Sequence, residues 1–274
     1  MLRRFSIRHK MSVMNLCIIT SNIRFDNPDD GLNAWPFRKT LLAQTLLTHG
    51  PDIIATQEGR YHQLKEFELL LEQYIIVDHH RSWIKERMYP TFFIKKNAFE
   101  IIKSEDIWLS ETPEIAGSLS FGSAFPRLLT WMKVQLKDSN TNFLFVNTHL
   151  DHVKSETRLE QVKVLIEKIK QIKDDVSYLV IMGDFNDSPD SVIRKVIIDS
   201  FPELIDSWKK FHSKEETSHH AFNGECQNGS RIDWILIDQR LKVENCVLDK
   251  TALGGLYPSD HFPVVCKFSK PFKS

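Results

Sequence analysis

Short apolar runs alternate along the chain with segments in which leucine and isoleucine recur at helical spacing. Asn15–Thr20, Asp52–Gln57 and Tyr178–Met182 are apolar runs typical of buried strands. Pro36–Gly50 and Glu156–Ile172 carry apolar residues at intervals of three and four, which predicts amphipathic helices. Strands and helices therefore alternate, as they do in an α/β protein.

The rest of the pattern favours antiparallel sheet. Thr130–Leu136 alternates apolar and polar residues, as a half-exposed strand does. A further helix is predicted at His62–Tyr74. Further strands are predicted at "RIDWILID", "LKVENCVLD" and "FPVVCKFS". We therefore expect an α/β fold with much antiparallel sheet and with helices on its outer faces.

The N-terminus is basic and then briefly apolar. The apolar run is too short for a signal peptide, so we interpret it as the first strand. We expect a flexible leader at 1–14, with Met11 and Met14 as alternative starts. No repeat or low-complexity linker divides 15–270, which we predict to be a single domain. No run reaches transmembrane length, so we expect a cytoplasmic protein that does not insert into membranes.

Charge and cysteine content narrow the classes of function. Lys and Arg number 36 and Asp and Glu number 36, so no net positive charge attracts long nucleic acids or anionic membranes. We expect a monomer. None of the cysteines has C-x-x-C spacing, and three lie in strand-like segments, which favours buried thiols in a reducing compartment. The four are Cys17, Cys226, Cys246 and Cys266.

Polar residues that can bind a metal ion or a phosphate accompany one predicted strand after another. In chain order they are Asn22, Glu58, His149, Asp184, Asn186, Asp233, Asp260 and His261. Strand ends gathered at one sheet edge form a common ligand site, and carboxylates crowded there repel one another unless a cation is present. This oxygen-rich, thiolate-free set suits Mg²⁺ or Mn²⁺. Each residue alone is more typical of a turn or a helix cap, so the repetition carries the prediction.

Six segments in order resemble the signature segments of the endonuclease/exonuclease/phosphatase superfamily. They are "SNIRFDN", "PDIIATQEG", "NTHLDH", "MGDFND", "RIDWILI" and "YPSDHFPV". "DGLNAWPFR", "DIWLSETPE" and "PRLLTW" are similar to bacterial members related to the CCR4/nocturnin branch. The resemblance implies a DNase I-like four-layer α-β-β-α sandwich, in which two mixed β-sheets pack face to face.

The resemblance also implies a role for each acidic or amide residue. Glu58 would be the principal ligand of Mg²⁺, with Mn²⁺ as an alternative. Asn22 would lie beside the metal and help to hold the scissile phosphate, and Asp260 would complete the metal shell. Asp184 would orient or deprotonate the attacking water. Asn186 would bind that water or a phosphate oxygen.

Basic residues complete the implied site. His261 would contact the phosphate, and Asp233 would hold His261 oriented and cationic. His149 would be a second phosphate-facing histidine. Arg127 either contacts a phosphate or forms an ion pair that anchors a loop, and His152 is expected to line the cleft.

The sequence also predicts the environment of three further groups of residues. Trp35 and Arg38 are expected to anchor the start of a helix. The pair His219–His220 lies in a long polar loop and is expected to be solvated. Half or more of a group of aromatic residues should belong to the core, while the others offer stacking faces for bases. That group is Trp35, Trp83, Trp108, Phe121, Phe125 and Trp131.

The combined set predicts hydrolysis of a phosphate ester by metal- and histidine-assisted attack of water. The CCR4-like segments favour a nuclease or nucleotide phosphodiesterase, whose partner is a single-stranded nucleic acid or a nucleotide. One alternative is a small-molecule or lipid-headgroup phosphatase or phosphodiesterase of the same fold, because substrate choice is made in the loops. The other is a catalytically dead binding protein, which the complete set of acids and histidines opposes.

Overall fold

The computed structural model describes residues 13–137, 139–225 and 229–271. Cys226 and almost all of the predicted leader lie outside these residues. In chain order, the helices are α1 (Trp35–Leu47), α2 (Tyr61–Leu70), α3 (Ser155–Ile172) and α4 (Val192–Ser200). The strands are β1 (Val13–Asn22), β2 (Ile53–Gly59), β3 (Tyr74–Ile76), β4 (Tyr89–Lys95), β5 (Phe99–Trp108), β6 (Leu128–Leu136), β7 (Asn142–His149), β8 (Tyr178–Asp184), β9 (Leu204–Asp206), β10 (Asp233–Asp238), β11 (Lys242–Leu248) and β12 (Val264–Pro271).

The strands form two six-stranded mixed sheets. The first has the order β11-β12-β1-β2-β4-β3, and the second has the order β5-β6-β7-β8-β10-β9. One pair in each sheet is parallel, β1 with β2 and β7 with β8, and the remaining pairs are antiparallel. A parallel pair needs a crossover, which α1 supplies in the first sheet and α3 in the second. The two mixed sheets predicted from the sequence are confirmed.

Alternation along the strands builds four layers. Ile18 of β1 and Phe145 of β7 point between the two sheets and join the same apolar cluster. Their neighbour Ile19 packs outward with α1 and α2. On the other side, Leu144 packs outward with Leu165 of α3 and with α4. The α-β-β-α sandwich implied by the resemblance is therefore confirmed.

The start of α1 is anchored as predicted, but the end of α2 differs from the prediction. Trp35 and Arg38 are both buried, and the Arg38 guanidinium donates to three backbone carbonyls of the loop between β1 and α1 and to the carbonyl of Pro258. Helical spacing extends to Tyr74, yet α2 ends at Leu70 and Tyr74 begins β3. The buried Tyr74 hydroxyl donates to the Pro51 carbonyl at 2.5 Å, a contact that the local pattern does not encode. None of the helices described is both long and apolar enough to cross a membrane.

The inner face of the sandwich becomes polar at one edge. Among the residues of β1 that face inward, apolar Ile18 is followed toward the strand end by polar Asn22. In β8, apolar Val180 is followed in the same way by Asp184. The parallel strands β1, β2, β7 and β8 all end at this edge, whereas the antiparallel strand β10 begins there with Asp233. Side chains far apart in sequence therefore meet at one end of the core.

A buried ion pair joins the two sheets near this edge. The Arg81 guanidinium donates two hydrogen bonds to Asp106, at 2.6 and 2.9 Å, and further ones to Thr91 and Thr130. Burial raises the pKa of Asp106, but Arg81 and His80 outweigh it and hold that pKa below its usual value. Both sheets thus contribute to a single polar cluster.

Arg81→Ala is expected to destabilise the fold by about 3–5 kcal/mol, because it leaves Asp106 buried without its cation. Urea unfolding followed by circular dichroism measures this loss. The matched control is Lys163→Ala, which breaks a pair with Glu160 in which both side chains are exposed, and it should cost about 0–1 kcal/mol. Equal losses in the two variants would contradict the prediction.

Candidate active site

A cavity of about 260 Å³ opens at the polar edge of the sandwich. It is lined by Arg24, Phe25, Glu58, Met88, Phe125, Arg127, His149, His152, Asp184, Asn186, His219, Ile232, Asp260 and His261. Asn22 and Asp233 hydrogen-bond to residues of this lining. The structure thus brings together all ten residues that the sequence predicts for the site.

Glu58 reaches the cavity through an irregularity in β2. Ile53 and Ala55 face the core, so plain alternation would turn Glu58 away from it. The pairing of β2 with β4 shifts register between Thr56 and Gly59, and Glu58 has a left-handed φ of 66°. A bulge of this kind redirects a side chain, and here it brings the Glu58 carboxylate into the cavity lining.

Asp184 is the last residue of β8, and both oxygens of its carboxylate accept hydrogen bonds. Asn22 Nδ2 donates to Asp184 Oδ2 at 2.9 Å and to Glu58 Oε1 at 3.1 Å. The backbone N–H of Asn186 donates to Asp184 Oδ1 at 2.9 Å. Burial, followed by repulsion from Asp233 directly opposite on β10, raises the pKa of Asp184 to about 7. The carboxylate is therefore set to accept a proton near neutral pH.

Gly183 permits this placement of Asp184. Its φ is 141°, and a Cβ atom there would lie 2.1 Å from the Thr148 carbonyl oxygen of the neighbouring strand. We expect Gly183→Ala to destabilise the protein by about 1–3 kcal/mol and to lower kcat, since the strand must shift beside Asp184. The control is Gly50→Ala, which also has a positive φ (60°) but meets no atom within 4 Å. Comparison of kcat and of the free energy of unfolding separates the clash from backbone strain, and an unchanged kcat in Gly183→Ala would contradict the prediction.

His261 is fixed as a cation by Asp233. Its Nδ1 lies 2.9 Å from Asp233 Oδ2, and its Nε2 lies 4.0 Å from Asp184 Oδ2. Burial lowers the pKa of His261, but Asp233, Asp260 and Asp184 together raise it to about 10. Imidazolium is therefore the form present across the neutral range.

His149, unlike His261, is held in its neutral form. It is buried, and its Nε2 lies 3.5 Å from Asp184 Oδ2 and 4.0 Å from Glu58 Oε1. Burial, with the adjacent Arg127 cation, lowers its pKa well below the ordinary value. A neutral imidazole accepts a hydrogen bond, and Arg127 Nη1 lies 2.9 Å from its Nδ1.

Arg127 is a buried cation that forms no ion pair among the described residues. Its polar neighbours are His149 and His152, and its Nε has no hydrogen-bond partner. The sequence left open whether Arg127 anchors a loop through an ion pair, and no such pair is present in the described part of the chain. A buried guanidinium without a counter-ion is unfavourable, so an anion in the cavity would supply its missing partner.

The donor set fits a hard divalent cation. The Arg24 cation lies 3.8 Å from Asp260 Oδ2 and His219 Nε2 lies 3.9 Å from it, both beyond hydrogen-bonding distance. Asp233 Oδ1 is buried without a partner, and Asp184 retains a raised pKa, so negative charge is incompletely neutralised here. Asn22 turns its Nδ2 toward the carboxylates while its Oδ1 accepts the Arg24 N–H. A metal-binding role for Asn22 therefore stays a prediction.

Sequence reasoning missed some residues of the cavity. Arg24 lies 3.8 Å from Asp260, and Phe25 donates its N–H to Glu58. The prediction that the pair His219–His220 is solvated is wrong for His220, whereas the side chain of His219 is 45% exposed. His219 lines the cavity with its ring 4.7 Å from that of His261, and His220 is buried against Phe262.

Backbone conformation is a signal for Arg24 that the sequence does not display. Arg24, Glu58 and Asn186 all line the cavity and all have left-handed φ values, at 52°, 66° and 51°. Such conformations are unfavourable for residues other than glycine and cluster at functional sites.

Comparison with known proteins identifies the family of the chain. Residues 19–261 match the Endonuclease/Exonuclease/phosphatase family. Nocturnin of Homo sapiens is 24% identical in an alignment of 266 positions, which covers 86% of this chain and 58% of the human protein. The chain thus spans about half the length of the curated relatives it matches.

Solved structures share the whole fold. An endonuclease/exonuclease/phosphatase family protein of Bacteroides thetaiotaomicron superposes with a TM-score of 0.84 at 27% identity, over 95% of this chain and 100% of that one. A mannosyl-6-phosphatase of the same organism gives 0.81 at 27% identity, over 92% and 99%. Together with the family match and the cavity, these findings show that the chain belongs to the endonuclease/exonuclease/phosphatase family, whose members are phosphoric ester hydrolases.

Proposed function

We propose that the protein hydrolyses phosphodiester bonds with the help of Mg²⁺ and acts as a nuclease or nucleotide phosphodiesterase. One observation carries the proposal. The same cavity has two carboxylates without a cation at hydrogen-bonding distance, Glu58 and Asp260, and one buried guanidinium that forms no ion pair among the described residues, Arg127. A phosphate together with a divalent cation satisfies both groups at once.

The residues divide the chemistry between them. Asp184, with a pKa of about 7, accepts a proton from the attacking water. His261 is an imidazolium that stabilises the negative charge developing on the phosphoryl oxygens, and Asp233 holds its ring in place. Arg127 donates to a phosphate oxygen, and neutral His149 positions that guanidinium.

Glu58 and Asp260 are the residues that would hold Mg²⁺. When bound, the cation supplies Lewis-acid stabilisation of the phosphate charge. Asn22 Nδ2 donates to both Glu58 and Asp184. It therefore fixes the position of the metal-binding carboxylate relative to the carboxylate that acts as base.

The second candidate is a small-molecule phosphatase or phosphodiesterase. The cavity of about 260 Å³ has room for one phosphorylated group, and a structural neighbour at 27% identity is a mannosyl-6-phosphatase. Phosphate chemistry in the cavity is the same in both cases, so the neighbouring loops decide between them.

A substrate panel with and without EDTA tests the proposal. It contains oligo(A), single- and double-stranded DNA, bis(p-nitrophenyl) phosphate, inositol phosphates, sphingomyelin and mannose 6-phosphate. We expect Mg²⁺-dependent cleavage of the nucleic acids and the chromogenic diester, abolished by EDTA. Preferential turnover of a monoester or a lipid would favour the second candidate, and turnover of no ester by the folded protein with Mg²⁺ or Mn²⁺ would overturn both.

A further inference from the structure

A second cavity adjoins the catalytic one. It has a volume of about 500 Å³ and lies between the start of α2 and the segment that precedes β4. Gly59 pairs with Tyr89, which places both segments at the catalytic edge of the first sheet. Its lining is Arg60, Tyr61, His62, Trp83, Ile84, Lys85 and Glu86.

Residues that line the two cavities lie next to one another. Arg60 lies two residues beyond Glu58, and its guanidinium carbon is 4.9 Å from the centre of the Phe25 ring. Phe25 itself lines the catalytic cavity, as does Met88, two residues after Glu86. A substrate whose phosphate lies beside Glu58 can therefore extend a neighbouring group toward Arg60.

The adjoining cavity offers aromatic faces held in fixed positions. Tyr61 and Trp83 meet edge to face with their ring centres 5.0 Å apart, and Tyr61 is 52% exposed. Trp83 is held from behind by Tyr89, at 4.9 Å, and by the guanidinium of Arg81, also at 4.9 Å. Rings fixed in this way can stack on a planar group with little loss of conformational entropy.

Cations flank the aromatic faces. Arg60 Nη1 donates to the Asp26 carbonyl and lies 3.4 Å from Glu86, while its Nε is buried without a partner. Lys85 is exposed at the rim. The only carboxylate in the lining, Glu86, is 65% exposed and occupied with Arg60. Stacking faces beside cations suit an aromatic base that carries a phosphate.

We propose that this cavity is a nucleotide subsite, in which the base next to the scissile phosphate packs against Tyr61 and Trp83, parallel to one ring and at the edge of the other, while Arg60 and Lys85 bind the negative charge of its backbone. The inference rests on the proposed function and identifies where the base of the nucleotide substrate binds.

Tryptophan fluorescence provides a direct readout. Trp83 is partly exposed, whereas the other five tryptophans, all within the described residues, are buried. The protein is titrated in EDTA with adenylyl-adenosine, with mannose 6-phosphate and with inorganic phosphate. We expect quenching by the dinucleotide alone, because stacking on Trp83 needs a base.

Tyr61→Ala should weaken dinucleotide binding about 5- to 150-fold, the range that corresponds to the loss of one stacking partner. Phe211→Ala removes an exposed ring that lines neither cavity and should leave binding unchanged. Absence of quenching, unchanged affinity in Tyr61→Ala, or equal quenching by mannose 6-phosphate would each overturn the inference.

Parallel hydrolysis of bis(p-nitrophenyl) phosphate with Mg²⁺ separates the two proposals. Hydrolysis without dinucleotide binding leaves the proposed function intact and removes the subsite. Dinucleotide binding that depends on Tyr61, without hydrolysis of any ester, keeps the subsite and removes the proposed function.

Discussion

Glu58→Ala is expected to lower kcat for Mg²⁺-dependent ester hydrolysis about 100- to 1000-fold. Glu58 lies at a bulge that points its carboxylate into the cavity, hydrogen-bonded by Asn22 and by the N–H of Phe25. Removing a carboxylate that holds the charge partner of the phosphate removes stabilisation of the transition state. The measurement is the steady-state rate with a chromogenic diester over a Mg²⁺ titration.

Two further measurements identify the cause of that loss. Isothermal titration calorimetry should show weaker Mg²⁺ binding in Glu58→Ala, and Glu58→Gln should behave similarly because an amide lacks the charge. Glu160→Ala, which removes an exposed carboxylate of α3, should leave rate and affinity unchanged. A Glu58→Ala enzyme that retains the Mg²⁺ affinity and kcat of the parent would refute the assignment of Glu58 as metal ligand.

The layered fold is predictable because alternation along the strands is strong. Apolar residues on both faces of β1 and β8 require cover on both sides, which two sheets and outer helices provide. The thiols of Cys17, Cys246 and Cys266 are buried and free, as the sequence predicts. The end of α2 was not predictable from the sequence, because Tyr74 fits the helical spacing. In the structure Tyr74 lies in a strand and its hydroxyl donates to the Pro51 carbonyl.

Residues of the candidate site that stand at strand ends are also predictable, since strand direction alone brings Asn22, His149 and Asp184 to one edge. The position of His219 was not predictable, because it depends on an isolated β-bridge between the polar loop and His261. Arg24 was not, because its left-handed backbone arises only when the loop after β1 folds over the cavity. The local sequence pattern predicts strands, whereas the conformation of a loop depends on contacts with residues distant in sequence.

Asp233→Asn should convert an enzyme that works up to alkaline pH into one that is active only in acid. Asp233 supplies the largest influence that raises the pKa of His261 to about 10, and burial alone lowers that pKa. The parent therefore keeps His261 charged at every pH below about 10. In the variant the pKa falls, so the imidazolium is lost as the pH rises through the lowered value, and kcat at pH 8 should fall about 100-fold.

The pH–rate profile distinguishes this explanation from simple damage to the fold. Loss of the Asp233 charge also lowers the pKa of Asp184, so that base stays ionised in weak acid. Asp233→Asn should therefore regain activity as the pH is lowered toward 6, whereas His261→Ala should lose about 100-fold or more with no recovery in acid. The matched control is Asp249→Asn, which alters a similar aspartate–histidine pair, with His49 at 2.6 Å, outside the cavity lining. If Asp233→Asn and the parent have parallel profiles between pH 6 and 9, His261 does not act as a cation held by Asp233, and the charge stabilisation assigned to it must come from Arg127 instead.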